Sequence, residues 1–166
     1  MKNIDELRKL SVSQVVDREN GYGAVSTAIR PLSDDMVVCG RAVTVWTVAG
    51  NIGYADALLD AVGEGDVVVV DAGGEADVAS FDSSLLVALK EKGVCGVIVD
   101  GSVSYHEDGI LPVFAKSVHP RAVQRTGFYR VGKSVSLGGT SVSSGDVVYG
   151  TGDGIVIIPE SEIEAI

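Results

Sequence analysis

Runs of apolar residues in the first two thirds of the chain predict three strands. The run from residue 36 to residue 48 is long and rich in valine, while the runs at residues 67–70 and 94–99 are apolar throughout. Branched and aromatic side chains fit a pleated strand, and strands without polar positions are typical of a parallel sheet that is covered on both faces. We therefore expect a buried parallel sheet.

Two segments between these strands have apolar residues at helical spacing. In residues 54–62 the apolar positions recur three and four residues apart, and a stripe of leucines does the same between residue 82 or 83 and Lys92. Gly63 and Gly93 follow the two segments, and glycine is a typical helix end. The order strand, helix, strand predicts a parallel βαβ unit and an α/β fold.

The last third of the chain changes character. Residues 131–159 form short valine and isoleucine runs that are separated by Gly138-Gly139, Ser144-Gly145-Asp146 and Gly152-Asp153-Gly154. Each of these breaks predicts a hairpin turn, because glycine and aspartate tolerate tight-turn backbone angles. Short helices are expected after the capping box Ser11-Val-Ser-Gln14 and in residues 160–166.

The charge balance narrows the range of partners. The 166 residues carry 13 Lys and Arg against 23 Asp and Glu, for a net charge of −10. The average field therefore repels phosphate backbones, and we expect no direct nucleic-acid partner. No apolar run approaches the ~18 residues of a membrane span, and the charged first turn is unlike a secretory signal. We expect one soluble, cytoplasmic domain over residues 1–166.

Two cysteines, Cys39 and Cys95, each lie in a valine-rich apolar stretch. A free thiol in such surroundings behaves as a small hydrophobic group, so core packing is the main interpretation. A disulfide or a reactive thiol is the alternative.

Two loops that follow the buried strands are candidates for a small-molecule pocket. They are Asp71-Ala-Gly-Gly and Asp100-Gly-Ser-Val-Ser-Tyr. In open α/β sheets ligands bind beyond the carboxyl ends of parallel strands, and the helix N-terminus after the first loop favours a carboxylate or a phosphate. The alternative is that Gly73 and Gly74 only turn the chain and that Ser83 only caps a helix.

The second loop continues into an acidic stretch. Asp100, Glu107 and Asp108 have oxygen ligands that suit a hard cation, and His106 can carry a proton near neutral pH. The alternative is a solvated acidic loop with a surface histidine, which is also our interpretation of His119. No nucleotide-binding, hydrolase or redox motif of fixed spacing occurs in the chain.

Several short segments between residues 10 and 160 have a characteristic order and spacing. They are Ser13-x-x-Val-Asp17, Gly40-Arg-Ala-Val-Thr-Val45, Gly65-Asp-Val-Val-Val-Val-Asp71, Gly73-Gly74, Gly96-Val-Ile-Val-Asp-Gly101, Pro112-Val-Phe-Ala115, Gly138-Gly139 with Val142 and Gly145-Asp146, and Asp153-Gly-Ile-Val-Ile-Ile-Pro159. Together they resemble the RraA-like family, which holds the regulator of ribonuclease activity A and the class II 4-hydroxy-4-methyl-2-oxoglutarate aldolases.

This resemblance implies a swivelling β/β/α-type domain, with a mixed sheet flanked by helices, that assembles as a ring-shaped homotrimer with sites between subunits. In the family's enzymes a divalent cation, Mg²⁺ or Mn²⁺, stabilises the pyruvate enolate formed by retro-aldol cleavage or oxaloacetate decarboxylation. No organic cofactor is implied. The implied substrate-binding positions are Asp82, Ser83, Ser84, Leu85 and Ser104, and the candidate metal ligands are Asp100, Tyr105 and Glu107.

The chain departs from the family pattern at two charged positions. The family motif Asp-Gly-x-x-Arg-Asp begins at Asp100, but Ser104 stands where the carboxylate-binding Arg belongs and Tyr105 where the metal-ligating Asp belongs. Serine cannot form the bidentate fork of arginine, and a phenol with a pKa near ~10 is a poor ligand for Mg²⁺. Asp82 and Ser83 also stand where the family usually has Gly followed by Asp or Glu.

Two hypotheses about function follow from these departures. The first is a noncatalytic or regulatory protein that binds a small carboxylate or keto acid, or a protein partner. The alternative is a diverged metal-dependent lyase that retains retro-aldol or decarboxylase chemistry. In either case we expect the backbone amides of residues 82–85 to remain free for an anion.

Overall fold

A mixed sheet of nine strands forms the centre of the protein, with a two-stranded sheet beside it. The computed structural model describes residues 2–121 and 124–165. The strands are β1 Arg30–Pro31, β2 Val38–Thr47, β3 Asp66–Asp71, β4 Ala79–Phe81, β5 Gly96–Val103, β6 Val113–Val118, β7 Tyr129–Val131, β8 Val135–Leu137, β9 Thr140–Val142, β10 Val147–Thr151 and β11 Gly154–Ile158. The helices are α1 Lys2–Leu7, α2 Val12–Arg18, α3 Ala55–Ala61, α4 Leu85–Glu91 and the 3-10 helix Glu160–Ala165.

The valine run of β3 explains why the fold has three layers. Val67 and Val69 pack against the β8–β9 hairpin, while Val68 and Val70 pack against α3 and α4. Successive side chains of a strand point to opposite faces, so an unbroken apolar strand must be covered twice. The layers are therefore hairpin, sheet and helices, as the β/β/α expectation requires.

Parallel pairing brings four strand ends to one edge of the sheet. The strand order is β1-β6-β5-β3-β2-β10-β11, and β2, β3, β5 and β6 are parallel neighbours. Trp46 at the end of β2 lies opposite Asp71, and Asp71 lies opposite Asp100. The predicted βαβ unit is confirmed, and its two polar loops emerge side by side.

The N-terminal helices cover a separate part of the sheet. Ser11 and Gln14 form the predicted capping box at the start of α2. Helices α1 and α2 and the 3-10 helix enclose an apolar cluster with β10 and β11 that contains Leu7, Val15 and Ile158. No helix in the described part of the chain has the length and apolar character needed to cross a bilayer.

One detail of the predicted last third of the chain is wrong. Ser144-Gly145-Asp146 is not a hairpin turn, because it connects β9 in the small sheet with β10, which pairs with β2 and β11 in the large one. This difference depends on strand partners that lie far away in the sequence. The short helix predicted for the tail is present as the 3-10 helix Glu160–Ala165.

Strands β6 and β7 were not predicted from the sequence. Strand β6 follows Pro112 directly and pairs with β5, and β7 pairs with β2 as an additional antiparallel strand. Both are short and carry a lysine or an arginine, so their apolar pattern is weak.

The two cysteines are free, as the core-packing interpretation expects. Cys39 is buried, and this burial is the main cause that raises the pKa of its thiol to about 11. Because the thiolate is the reactive form, Cys39 is inert at neutral pH.

Candidate functional site

The two predicted loops are in direct contact. The amides of Ala72 and Gly74 donate to the carbonyl oxygen of Asp100, at 3.3 and 3.0 Å. Gly73 and Gly74 have φ of 70° and 78°, which favours glycine. A Cβ at Gly74 would lie 2.7 Å from Lys116 Nζ, so glycine leaves room here for the ammonium group.

The carboxylate of Asp100 is engaged within the protein. Asp100 is 7% exposed, and its Oδ2 accepts a hydrogen bond of 2.8 Å from the amide of Gly138. Lys116 Nζ lies 3.3 Å from Oδ1 and donates to the carbonyl of Gly74 at 3.3 Å. Oδ1 has no hydrogen-bond donor among the described residues, so the pair with Lys116 is an ion pair without an aligned hydrogen bond.

Asp71 has a similar role one strand away. Its Oδ1 accepts from the amide of Gly73 and its Oδ2 from the amide of Ser136, both at 3.0 Å. Asp71 and Asp100 thus hold the β8–β9 hairpin by two of its backbone amides. This polar row at the sheet edge ties the hairpin layer to the central sheet.

Ser83, Ser104 and Tyr105 form a set of hydrogen bonds that we call the serine clasp. The amide of Ser83 donates to Ser104 Oγ at 2.9 Å, and Ser83 Oγ donates to the carbonyl of Tyr105 at 2.5 Å. The amide of Tyr105 also donates to Ser83 Oγ, at 3.4 Å. The clasp joins the loop before α4 to the end of β5, at the positions where the family pattern has Arg and Asp.

The expectation that the amides of residues 82–85 are free for an anion is not met for Ser83, Ser84 and Leu85. The Ser83 amide is used by the clasp, the Ser84 amide donates to Asp82 Oδ1 at 3.0 Å, and the Leu85 amide donates to the Asp82 carbonyl at 3.0 Å. A donor that is already paired within the chain has little left to offer a ligand.

Asp82 is held by a basic residue that the sequence analysis did not consider. Arg125 Nη2 lies 3.1 Å from Asp82 Oδ2. Burial raises the pKa of Asp82, but hydrogen bonds from Ser84 and the charge and hydrogen bond of Arg125 outweigh it and lower the pKa overall. Ionised Asp82 therefore adds stability above its unfolded pKa, near ~3.9, and this stability is lost as the pH falls through the lower folded value.

His106 forms a cluster with a serine and an aspartate that does not have the geometry of a catalytic triad. Its Nε2 lies 2.6 Å from Ser33 Oγ and 2.8 Å from Asp108 Oδ1, and Ser33 also donates to Asp108. In a triad the acid holds the other ring nitrogen, but His106 Nδ1 has no partner among the described residues. The hydrogen bonds from Ser33 and His106 lower the pKa of Asp108.

The candidate metal ligands do not form a metal site. Asp100 is already engaged with Lys116 and Gly138. Across the described ranges, no group of three or more His, Cys, Asp or Glu side chains could hold a metal ion. The residues present therefore do not fit Mg²⁺ or Mn²⁺ at these loops.

Three cavities of the structure lie away from the predicted loops. Cavities of about 890, 530 and 410 Å³ are present, and no residue of either loop lines them. The first lies between residues 32–37 and 108–112 and includes Asp108. The sequence analysis did not identify Ser33 or Lys116 as site residues. Of the two, only Lys116 stands out in the sequence, because it is a cation within the apolar run of β6.

Removing the hydroxyl of Ser83 is expected to weaken the serine clasp. Ser83→Ala should lower the free energy of unfolding by about 1–2 kcal/mol, because the carbonyl of Tyr105 loses its donor near a residue that is 1% exposed. Urea unfolding measures the change. The matched control is Ser161→Ala, since Ser161 is exposed and its side chain makes no hydrogen bond among the described residues. Equal stability of the two variants would contradict a structural role for the clasp.

Comparison with known proteins identifies the family of this chain. The family model RraA-like (Aldolase/RraA) matches residues 12–157. A Halalkalibacterium halodurans protein, named as a proposed 4-hydroxy-4-methyl-2-oxoglutarate aldolase, is 29% identical over 165 residues, covering 97% of this chain and 78% of its own. A similarly named protein from Alkalilimnicola ehrlichii is 32% identical over 129 residues, covering 76% of this chain and 80% of its own.

Solved structures share the fold at lower identity. The RNA-processing inhibitor RraA from Thermus thermophilus has a TM-score of 0.80 at 22% identity and covers 91% of this chain and 93% of its own. RraAS2 of Streptomyces coelicolor, described as an unusual member of the RNase ES inhibitor RraA family, has a TM-score of 0.86 at 23% identity and covers 99% of this chain and 89% of its own. With the family model spanning most of the sheet and both polar loops, the chain belongs to the RraA-like family.

Proposed function

We propose that this chain is a noncatalytic, regulatory member of the RraA-like family that acts by binding a partner rather than by cleaving a keto acid. The serine clasp carries this proposal. Ser104 and Tyr105 replace the Arg and Asp of the family motif, and Ser104 Oγ accepts the amide of Ser83 at 2.9 Å. A serine whose oxygen is used in this way cannot bind a substrate carboxylate as a guanidinium does.

The charges around the loops support the same proposal. Enolate chemistry needs a positive charge at the developing oxyanion. The two cations near these loops are neutralised within the chain, since Lys116 pairs with Asp100 and Arg125 pairs with Asp82. Regulation through protein binding also agrees with the names of the Thermus and Streptomyces structures, which describe inhibitors. As in the family pattern, we propose a homotrimer in the cytoplasm.

The test is an assay of pyruvate release from oxaloacetate and from 4-hydroxy-4-methyl-2-oxoglutarate with Mg²⁺ or Mn²⁺. We expect no release above the rate with metal alone, because a carboxylate clamp and a metal ligand are both absent from the motif. Turnover near the ~10 per second of ordinary enzymes would contradict the proposal. It would instead favour the metal-dependent lyase that the names of the curated relatives suggest.

A double variant tests whether the two replaced motif residues are the reason why the chain does not bind a keto acid. Ser104→Arg with Tyr105→Asp restores the family residues, and calorimetry should then detect Mg²⁺-dependent oxalate binding that the natural chain lacks. Circular dichroism checks that the variant is folded, since it removes the acceptor of the Ser83 amide. A folded double variant without any gain would mean that the end of β5 does not face a carboxylate site.

A further inference from the structure

Positive charge is concentrated in one segment of this acidic chain. The 37 residues from 109 to 145 contain no Asp or Glu but five of the 13 Lys and Arg. The other eight share the rest of the chain with all 23 acidic residues. The net charge of this segment is therefore opposite in sign to that of the whole chain.

Three of these five cations are free. Lys116 and Arg125 pair with Asp100 and Asp82, as described above. Arg121, Arg130 and Lys133 are exposed, and no ion pair or side-chain hydrogen bond engages them within the described residues. A partner with negative charge could bind them without first displacing a carboxylate of this chain.

Two large aromatic side chains are exposed beside these cations. Phe128 is 68% exposed and Trp46 is 40% exposed. Trp46 lies directly opposite Arg130 in the pairing of β2 with β7, and the amide of Val48 donates to the carbonyl of Phe128. Directly paired and diagonal side chains of antiparallel strands share a face within reach of one another. Lys133 follows β7, and its carbonyl accepts a hydrogen bond of 2.6 Å from Thr44 Oγ1 of β2. We call the face formed by Trp46, Phe128 and Arg130, together with exposed Lys133 next to it, the basic-aromatic strip.

The strip also lies on an open strand edge. Strand β7 pairs with β2 alone, so its other edge has no strand neighbour among the described residues. An extended peptide can add to such an edge through backbone hydrogen bonds, while its alternating side chains contact the surface. Exposed Trp and Phe next to Arg match the composition of binding hot spots at protein interfaces.

We propose that the basic-aromatic strip binds an extended acidic segment of a partner protein, one in which carboxylates alternate with aromatic or aliphatic residues. Carboxylates meet Arg130 and Lys133, and the apolar side chains cover Phe128 and Trp46. A short segment needs only the strip, whereas a long nucleic acid also meets the rest of this chain, whose net charge is −10. This inference rests on the proposed regulatory function and names the surface through which it operates.

The experiment measures binding of a short fluorescent peptide, in which glutamate alternates with phenylalanine and valine, by fluorescence anisotropy. Arg130→Glu with Lys133→Glu should weaken binding at least about tenfold, because like charges then face each other. Phe128→Ser should weaken it about fivefold or more through loss of apolar contact. Since all three side chains are exposed, these variants should fold normally.

The matched control is Lys90→Glu with Lys92→Glu, which changes the net charge by the same amount at exposed positions at the end of α4. It should change the peptide affinity by less than about twofold at moderate salt, because separated charges are screened. Equal loss in the control and in the strip variant would overturn the proposal, since net charge alone would then explain the binding.

Other results would also overturn it. If the natural chain did not bind the peptide at concentrations approaching ~1 mM, the strip would not be a peptide-binding site. Tighter binding of a single-stranded oligonucleotide, lost in the strip variants, would assign the strip to nucleic acid. A change in mass by light scattering in Arg130→Glu with Lys133→Glu would make it a contact between copies of this chain. Because pyruvate release is measured separately, an active lyase would refute the proposed function without deciding peptide binding.

Discussion

Replacement of Asp100 by leucine is expected to lower the free energy of unfolding by about 3 kcal/mol, because it breaks a largely buried ion pair and removes the acceptor of a backbone amide. The Gly138 amide loses its acceptor, and Lys116, whose side chain is 27% exposed, loses its counter-charge. Urea unfolding monitored by circular dichroism measures the change. The hairpin layer should loosen first, since Asp100 holds the turn between β8 and β9.

Two further variants give this prediction its controls. Asp100→Asn keeps an acceptor for the Gly138 amide and loses only the charge, so it should be destabilised by less, about 1 kcal/mol. Asp60→Leu, at an exposed position of α3, should change stability by no more than about 0.5 kcal/mol. If Asp100→Leu were as stable as Asp60→Leu, the carboxylate of Asp100 would not hold the hairpin and would be available for another role.

Asn51→Ala is the second substitution with a large expected effect, again about 3 kcal/mol. Asn51 is fully buried, and its Oδ1 accepts from the amides of Thr126 and Gly53 at 2.8 and 3.0 Å. Its Nδ2 donates to the carbonyls of Thr126 and Phe128 at 3.3 and 3.2 Å. Alanine removes these partners from four backbone groups. The Phe128 carbonyl keeps the amide of Val48, but the other three groups lose the only partners they have among the described residues, and each such loss is costly.

Hydrogen exchange can separate the local effect of Asn51→Ala from global unfolding. The amides of Gly53 and Thr126 should exchange faster than those of β3, because the segment before β7 loses its attachment to the loop after β2. Gln124→Ala lies in the same segment at an exposed position and should leave both stability and exchange nearly unchanged. Uniform acceleration of exchange over the whole sheet would contradict a local role for Asn51.

The sequence predicted the centre of the fold well because periodicity reports burial. The run Val67–Val70 was interpreted as a strand covered on both faces, and its valines do alternate between the hairpin layer and the helices. The capping box at Ser11 was also predicted, since it is complete within four residues of sequence. By contrast, Ser144-Gly145-Asp146 has the composition of a hairpin turn but connects two different sheets. Composition identifies a turn, and only strand pairing decides what it connects.

The candidate site likewise has features that the sequence predicted and features that it did not. Apolar strands followed by polar loops predicted that Asp71 and Asp100 would lie at one edge, and the register places them opposite each other. That the Ser83 amide is paired with Ser104, and that Arg125 lies beside Asp82, could not be predicted, because these contacts join residues 21 and 43 positions apart. A single sequence carries no direct signal for a hydrogen bond over such a separation.

What the sequence determined by itself is what local chemistry encodes: an acidic α/β chain, a valine-rich parallel sheet, and a family motif in which Ser104 and Tyr105 replace charged residues. The tertiary structure alone decided how the polar groups are used. It pairs Asp100 with Lys116, closes the serine clasp, and places Trp46 beside Arg130 on an open strand edge. The physical reason is that side-chain type fixes which bonds a residue can make, while the path of the backbone fixes which partner comes within reach.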